Sequence, residues 1–301
     1  MRIFITGGTG FIGRHIVKKL ESEDHTLLLL SRQTTNRSHL SLKTSTNILR
    51  GDLSQIDGLK NNINSFSPDV CIHLAWESLP DYGAETSSRN LSYGLNLITA
   101  LAECGCKCFI GVGSCWEYGQ RSGKLSEDLD PKPLDAFASA KNSLHLRGRQ
   151  IAEEHGMNFI WTRLFYIYGP GQRETSLIPY IINSLSAGMM PDIKTPSVKN
   201  DFLYVGDAAR AFSAIIKKPD DGVYNIGSGM STSIREITEI TCREFKFPGS
   251  CATLSNIANS PIIDFWADIS RIRNEIGWEP QISISEGIQQ TIKYHTEDGA
   301  R

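Results

Sequence analysis

Three glycines near the start of the chain have the spacing of a dinucleotide-binding loop. Gly7, Gly10 and Gly13 lie in the segment TGGTGFIG, directly after an apolar run and at the start of an amphipathic stretch. In such a loop the first glycine allows a tight turn, the second lets the backbone approach a pyrophosphate, and the third lets the following helix pack closely on the sheet. The helix N-terminus then offers free N–H groups to the phosphates. The pattern therefore predicts a site for a nicotinamide dinucleotide.

Two residues after the second apolar run indicate which dinucleotide binds. Ser31 and Arg32 lie 18 and 19 residues after Gly13, where an NAD-selective site usually places a carboxylate against the ribose 2′-hydroxyl. A hydroxyl and a guanidinium suit a 2′-phosphate better. This pair therefore favours NADP(H), and NAD(H) is the alternative cofactor. Arg32 could also be a solvated surface arginine that contacts no cofactor. Asp52, which follows the third apolar run, is expected to face the adenine.

The elements that must position these residues are visible in the hydrophobic pattern. Short apolar runs alternate with longer amphipathic stretches over roughly the first 165 residues, which predicts an α/β fold with a doubly wound parallel sheet. The predicted strands are Arg2–Thr6, Thr26–Leu30, Thr46–Leu49, Val70–Leu74, Cys108–Val112 and Phe159–Leu164. The predicted helices are Phe11–Glu23, Glu85–Cys104, Phe137–His155, Leu177–Ala187, Ile234–Glu244 and Ser285–Tyr294.

Turn residues become more frequent after residue 169, so the chain is divided at about that point. We predict a dinucleotide-binding domain over 1–168 and a smaller, substrate-binding C-terminal lobe over 169–301. The boundary is approximate, and the prediction allows a strand to pass from one part to the other.

Composition excludes several classes of partner. The chain has 301 residues and a formal net charge of -2 without a basic block, so nucleic acid is not an expected partner. The longest aliphatic run, Leu27–Leu30, is far shorter than a membrane span. Cys104, Cys106 and Cys108 lack companions at zinc-ligand spacing, so no metal is predicted. An odd number of cysteines and an opening that leads straight into the first strand predict no signal peptide and a cytoplasmic location.

Further segments, in the same order and spacing, make the chain resemble the extended short-chain dehydrogenase/reductase family, in the branch that modifies nucleotide-linked sugars. They are NLSYGLNL at 90–97, GSCWEYG at 113–119, RLFYIYGP at 163–170, DFLYVGD at 201–207, YNIGSG at 224–229 and IGWEP at 276–280. The resemblance covers nearly the whole chain. It implies a Rossmann sheet, an NAD(P) cofactor, a nucleotide-sugar substrate and a homodimer that pairs the helices Glu85–Cys104 and Phe137–His155.

The resemblance also implies a catalytic Ser, Tyr and Lys, with the last two spaced Y-x-x-x-K. Ser114 matches the serine and Lys141 matches the lysine, but Phe137 stands where the tyrosine is expected. Residues four apart share one face of a helix, so the Phe137 ring should still lie beside Lys141. Phenylalanine has the shape of tyrosine but no exchangeable proton, which affects the proton-transfer step and leaves binding intact.

Three explanations for Phe137 are open. The chain is a form inactivated by a Tyr-to-Phe substitution; or the phenylalanine is native and Ser114, Cys115, a water or a nearby tyrosine passes the proton; or the protein binds its dinucleotide without catalysis. The retention of Lys141 at the matching spacing is not explained by a purely structural role of Phe137.

The residues beside Ser114 reduce the number of family reactions that this chain is expected to catalyse. Similar dehydratases carry an Asp-Glu pair directly after the Ser or Thr, whereas this chain has Cys115 and Trp116, so dehydration is not expected. The GDP-fucose synthase type has a cysteine where Trp116 stands, which argues against 3,5-epimerisation. Reduction of a 4-keto sugar and 4-epimerisation remain. Ser31 and Arg32 favour the NADPH-dependent reductase, because a reductase draws on NADPH at every turnover.

The resemblance carries over to the binding residues unevenly. Tyr166 replaces the usual Asn, and Asn200 replaces an Arg that often grips the diphosphate, with Lys199, Arg173 or the helix start near Ser176 as substitutes. The predicted cofactor-binding residues are Gly7, Thr9, Gly10, Phe11, Ile12, Gly13, Ser31, Arg32, Asp52, Leu53, Leu74, Ala75, Trp76, Lys141, Phe165 and Tyr166. The predicted substrate-binding residues are Trp76, Glu77, Ser114, Cys115, Trp116, Tyr166, Arg173, Ser176, Lys199 and Asn200.

Overall fold

A computed structural model describes residues 1–32, 42–247 and 264–298. Its centre is a parallel sheet of seven strands in the order β11-β7-β5-β4-β1-β2-β3. These strands are β1 (Arg2–Thr6), β2 (Thr26–Ser31), β3 (Thr46–Arg50), β4 (Val70–His73), β5 (Cys108–Ser114), β7 (Asn158–Leu164) and β11 (Gly222–Ile226). The predicted doubly wound parallel sheet is therefore confirmed, and the six predicted strands are all present with ends shifted by at most two residues.

Two apolar cores lie on the two faces of the sheet. Helix α1 (Phe11–Glu21) packs on α6 (Val205–Ile215) on one face, and α3 (Ala84–Glu103) packs on α4 (Ala136–Glu154) on the other. The central strands are buried on both sides, which explains why they read as continuous apolar runs rather than alternating ones. Right-handed crossovers require this placement of helices on both faces.

Most of the remaining elements form a smaller layer beside the carboxyl ends of the strands, whereas the helix Lys60–Phe66 and the helical turn Leu53–Leu59 pack beside α3. The strands pair two by two, β8 with β10, β9 with β12, and β6 with β13. Their bounds are β6 (Gly123–Leu125), β8 (Tyr166–Tyr168), β9 (Lys199–Asn200), β10 (Phe202–Tyr204), β12 (Thr232–Ser233) and β13 (Phe265–Ala267). The other helices are α2 (Lys60–Phe66), α5 (Leu177–Ser186), α7 (Ile234–Glu244) and α8 (Ile284–Asp298), with short helical turns at Leu53–Leu59, Cys115–Tyr118 and Ile272–Ile276.

The C-terminal part also contributes to the sheet. Strand β11 pairs with β7, and α6 covers α1, although both elements follow residue 169. This is the kind of exchange that the predicted division at 168/169 allows, and the division itself stays a prediction. Neither strand β11 nor helix α6 was predicted from the sequence. Within the described residues, no helix is both long and apolar enough to cross a membrane.

The strand order reverses direction beside β1, since β2 lies on one side of it and β4 on the other. In open parallel sheets a crevice forms at such a switch point, at the carboxyl ends of the strands. The glycine loop that follows β1 lies at this point, with the end of β4 next to it. The topology therefore places the predicted dinucleotide loop in the crevice.

Candidate active site

A cavity of about 1340 Å³ runs along the carboxyl ends of the strands, from the glycine loop to the start of α5. All the residues predicted for catalysis, cofactor binding and substrate binding line it, except Lys199. The Nζ atom of Lys199 lies 3.8 Å from a carboxylate oxygen of Asp264, and its side chain is 43% exposed. Lys199 lies on β9, which pairs with β12, and its side chain is close to a surface carboxylate. It does not line the cavity.

The glycine loop has the shape that the spacing predicted. Gly7 has a φ of +72°, and a Cβ on it would lie 2.6 Å from the backbone nitrogen of Ala75. A Cβ on Gly13 would lie 2.1 Å from the carbonyl oxygen of Gly7, so the turn and the helix pack backbone to backbone. Gly10 is the N-cap of α1 and provides no side-chain cap. The first N–H groups of α1 are therefore open to an anion, as a pyrophosphate requires.

The Arg32 guanidinium lies between two carboxylates at the adenosine end. Its Nη1 is 3.5 Å from Oε2 of Glu77, its Nε is 4.0 Å from Oδ2 of Asp52, and the side chain is 62% exposed. Glu77 also accepts a hydrogen bond of 2.7 Å from Nε of Arg89. Hydrogen bonds from Ser54 and the charge of Arg32 lower the pKa of Asp52. A 2′-phosphate would have to displace or neutralise these carboxylates to reach Arg32.

Lys141 is buried on α4, one turn after Phe137. Its Nζ donates a 2.7 Å hydrogen bond to the carbonyl oxygen of Val112 and lies 4.1 Å from the centroid of the Trp76 ring. The Phe137 ring centroid is 5.7 Å from the same nitrogen. Burial lowers the pKa of Lys141 to about 7, against a smaller opposing effect of Glu117. The structure thus brings Phe137 and Lys141 together on one helix face, as their spacing predicted.

Phe137 is enclosed by three other aromatic rings, and we call Trp76, Tyr82, Trp116 and Phe137 the aromatic cluster. The centroid of the Phe137 ring is 5.2 Å from that of Trp76, 5.1 Å from that of Tyr82 and 5.8 Å from that of Trp116, each in an edge-to-face arrangement. Tyr82 was missed by the sequence reasoning. It lies in the loop between β4 and α3, where neither periodicity nor a family segment marks it.

Ser114 ends β5 and is fixed by its neighbours. Its Oγ accepts a 3.2 Å hydrogen bond from the backbone N–H of Trp116, and its own N–H donates to Oε1 of Glu117 at 2.8 Å. Glu117 is fully buried and also accepts hydrogen bonds from Nε of Arg163 and Nε1 of Trp161. This buried network holds Ser114 at the cavity wall.

Other ionisable residues near the cluster are held in their neutral forms by burial. Burial raises the pKa of the Cys115 thiol well above its usual range and raises the pKa of Tyr166 to about 12. The Tyr166 hydroxyl accepts a 3.3 Å hydrogen bond from Nε1 of Trp116. Burial lowers the pKa of His73 to about 3, and its Nδ1 lies 2.7 Å from Oγ1 of Thr6. His73 is thus a core residue.

The far wall of the cavity can receive an anion. Ser176 is the N-cap of α5 but its side chain makes no capping hydrogen bond, so the first turn of α5 is open to a ligand. Arg173 is exposed nearby on the same wall, and Asn200 is buried in β9. The Nε1 atom of Trp76 is buried without a hydrogen-bond partner in the described part of the chain. These groups fit a dinucleotide and a second phosphorylated ligand in one cavity.

The sequence profile of the NAD dependent epimerase/dehydratase family matches residues 3–227. The dTDP-D-glucose 4,6-dehydratase of Bos taurus is 25% identical over 99% of this chain and 89% of its own length. The UDP-glucuronate 4-epimerase of Thermodesulfobacterium geofontis is 27% identical over 98% of this chain and 96% of its own length. The predicted membership of the nucleotide-sugar branch is confirmed by these matches.

Solved structures share the fold. UDP-glucose 4-epimerase from Thermotoga maritima superposes with a TM-score of 0.88 over 99% of both chains at 22% identity. A tyrosine-to-phenylalanine mutant of UDP-glucuronic acid 4-epimerase from Bacillus cereus has a TM-score of 0.85 at 25% identity, over 99% of both chains. That mutant was solved with NAD and UDP-4-deoxy-4-fluoro-glucuronic acid. The predicted preference for NADP(H) gains no support from these relatives, since the ligand of this neighbour is NAD.

Proposed function

This chain belongs to the NAD-dependent epimerase/dehydratase family, and we propose that it transfers hydride at C4 of a nucleotide-linked hexose. In the form we favour, it reduces the 4-keto group of a nucleotide-linked 6-deoxyhexose at the expense of NADPH. The observation that carries the proposal is the single cavity that holds both the open start of α1 and the pair Ser114 and Lys141. The proposed dinucleotide site and the proposed site of carbonyl chemistry would thus share one cavity.

Some residues of the cavity would bind the two ligands, and others would orient the reacting sugar. The glycine loop and the first turn of α1 would hold the pyrophosphate, and Lys141 would hold the nicotinamide ribose through its buried Nζ. The dinucleotide, when bound, supplies or accepts the hydride. Ser114 would orient the sugar oxygen through its hydroxyl, which the Glu117 network fixes. The aromatic cluster offers apolar ring faces to the sugar, and the open start of α5 offers N–H groups to the diphosphate.

Two observations bear on which type of reaction the chain catalyses. Arg32 at the end of β2 favours NADPH and therefore reduction, and no residue pair after Ser114 supplies the acid and base of a dehydratase. The contrary observation is the pair of carboxylates beside Arg32, which suits an unphosphorylated ribose. Together with the epimerases among the relatives, it favours NAD-dependent 4-epimerisation as the second candidate.

A turnover assay with matched variants tests the proposal. The wild type, Phe137→Tyr and the control Phe66→Tyr, whose ring lies outside the cavity, are each incubated with NADPH and a panel of nucleotide-linked 4-keto-6-deoxyhexoses, and with NAD and nucleotide-linked hexoses. Reduction appears as loss of NADPH absorbance, and epimerisation as interconversion of sugars without net redox change. A general acid contributes roughly 10²–10⁴-fold, so Phe137→Tyr should raise any rate limited by a missing proton donor by up to that factor.

The outcome separates the two enzymatic candidates from a protein that only binds. Dinucleotide affinity without turnover in both the wild type and Phe137→Tyr would overturn the proposal in favour of a non-catalytic binding protein. Tightly held NAD after purification, with interconversion of sugars, would replace reduction by epimerisation. Phe66→Tyr should behave as the wild type in every assay.

A further inference from the structure

We propose that the Tyr82 hydroxyl supplies the proton to the sugar oxygen in place of the phenol that Phe137 lacks. The inference rests on the proposed function and concerns only its proton step. It would make the chain an active enzyme with a relocated proton donor, and not a form inactivated at position 137.

The position of Tyr82 in the aromatic cluster is the first argument. Its ring lies next to the Phe137 ring, with centroids 5.1 Å apart and planes at 72°, and next to the Trp116 ring, with centroids 5.3 Å apart. Tyr82 also lines the cavity that contains Ser114 and Lys141. A phenol is therefore present one ring away from the position where the family places it.

Contact with solvent is the second argument. The Tyr82 residue is 37% exposed, whereas Tyr166 and Cys115 are largely buried. An acid must be recharged after each turnover, and a tyrosine in contact with solvent can take a proton from water. A bound reduced dinucleotide would supply the hydride to the sugar carbonyl carbon, and the π electrons of the C=O bond would move to oxygen. That oxygen would take the proton of the Tyr82 O–H bond, and water would then reprotonate the phenolate.

Three other groups that line the cavity are less suited to donate the proton. Burial raises the pKa of the Tyr166 hydroxyl to about 12 and raises that of the Cys115 thiol further, so ionising either of them in place is costly. The Glu77 carboxylate is engaged in two ion pairs, at 2.7 Å with Nε of Arg89 and at 3.5 Å with Nη1 of Arg32. Tyr82 is the remaining hydroxyl of the aromatic cluster.

Lys141 is the strongest competitor, since its lowered pKa makes it an acid near neutral pH. Its Nζ, however, donates to the carbonyl oxygen of Val112 and is covered by the Trp76 ring. In the proposed function, its remaining N–H groups would hold the nicotinamide ribose. Lys141 is therefore assigned to positioning, and the experiment below also distinguishes it from Tyr82.

The test is a set of five proteins: wild type, Tyr82→Phe, Phe137→Tyr, the double variant, and the control Tyr180→Phe. Tyr180 is 38% exposed and Tyr82 is 37% exposed, but Tyr180 lies on α5 outside the cavity lining. We expect Tyr82→Phe to lower kcat by roughly 10²–10⁴-fold, the contribution of a general acid. The double variant should recover to within about tenfold of the wild type, because its phenol at 137 takes over the same proton transfer. Tyr180→Phe should leave kcat unchanged.

A second readout separates loss of the proton from loss of binding. Trp76 and Trp116 flank the site, so quenching of tryptophan fluorescence by the nucleotide sugar measures its Kd independently of turnover. Tyr82→Phe should retain the wild-type Kd within about threefold, which is less than 1 kcal/mol, and the wild-type melting temperature.

Each result has a distinct meaning. Wild-type kcat in Tyr82→Phe, or a double variant that binds but does not recover, would overturn the assignment while the proposed function stands. Turnover by Phe137→Tyr but not by the wild type would likewise overturn it, and would show that the wild-type site lacks a donor. If none of the five proteins turns over any substrate of the panel, the proposed function fails and the inference fails with it.

Discussion

We expect the variant Gly10→Ala to weaken dinucleotide binding while leaving the fold almost as stable as before. The backbone at Gly10 has φ and ψ of -75° and 178°, a conformation that alanine adopts freely. A Cβ built there meets only the carbonyl oxygen of Gly7, at 3.2 Å. Glycine is better than alanine at an N-cap, so we expect the free energy of unfolding to fall by no more than about 1 kcal/mol.

The same methyl group would stand at the open start of α1, inside the cavity. The uncapped N–H groups of the first turn can bind a pyrophosphate only if it approaches closely, and Gly10 lines that part of the cavity. We expect the dinucleotide Kd to rise at least about tenfold, which corresponds to roughly 1.4 kcal/mol. Titration of the fluorescence of NADPH and NADH measures the Kd, and urea unfolding measures the stability.

Two further glycines serve as controls at opposite extremes. A Cβ on Gly58 would have no heavy atom within 4 Å, so Gly58→Ala should change neither Kd nor stability appreciably. A Cβ on Gly13 would lie 2.1 Å from the Gly7 carbonyl oxygen and 2.7 Å from Cα of Gly8, both backbone atoms that cannot rotate away. Overpacking of this kind costs roughly 1–3 kcal/mol or more, so Gly13→Ala should lose stability as well as affinity.

Wild-type dinucleotide affinity in Gly10→Ala would refute the assignment of this loop to the pyrophosphate. Unfolding of Gly13→Ala at the wild-type urea concentration would show that a side chain at the close contact of turn and helix carries no cost, and would contradict the packing described above.

Three further predictions concern charge and assembly. Arg32→Ala should weaken NADPH binding at least about tenfold and leave NADH binding unchanged; equal losses for both would show that Arg32 reads no 2′-phosphate. Because burial lowers the pKa of Lys141 from 10.5 to about 7, the unfolded chain binds more protons between these values, and stability should rise with pH across that window. Lys141→Met should flatten the rise in urea unfolding measured from pH 7 to 10, and identical profiles would contradict it. The predicted homodimer should give a sedimentation-equilibrium mass twice that of one chain, and a monomer mass would refute it.

Elements with a strong local signal could be predicted from the sequence. Strand β1 and helix α7 have the predicted bounds, because the apolar run in one and the amphipathic period in the other are properties of neighbouring residues. Strand β11 was not predicted, although its residues lie in a segment that resembles the family. Only the sheet partner, β7, makes this short run a strand, and that partner lies about 60 residues earlier in the chain.

The sequence predicted which residues form the candidate site, but not which side chains surround them in the folded chain. The face shared by Phe137 and Lys141 follows from the helical period alone. The carboxylate of Glu77 beside Arg32 and the ring of Tyr82 beside Phe137 depend on the path of the loop after β4. No pattern in the sequence encodes that path, so the charge around Arg32 and the second phenol appear only in the folded chain.

The aromatic cluster also explains how the site can lack the phenol without a structural cost. Phe137 meets its three neighbours edge to face, contacts that need no hydroxyl. Lys141, whose charge would otherwise lower the pKa of a phenol at 137, instead has the Val112 carbonyl and the Trp76 ring as partners. Positioning by Lys141 and proton donation are then tasks of separate residues. If so, the losses caused by Lys141→Met and Tyr82→Phe should add in a double-mutant cycle, whereas in a coupled Tyr–Lys pair they would not.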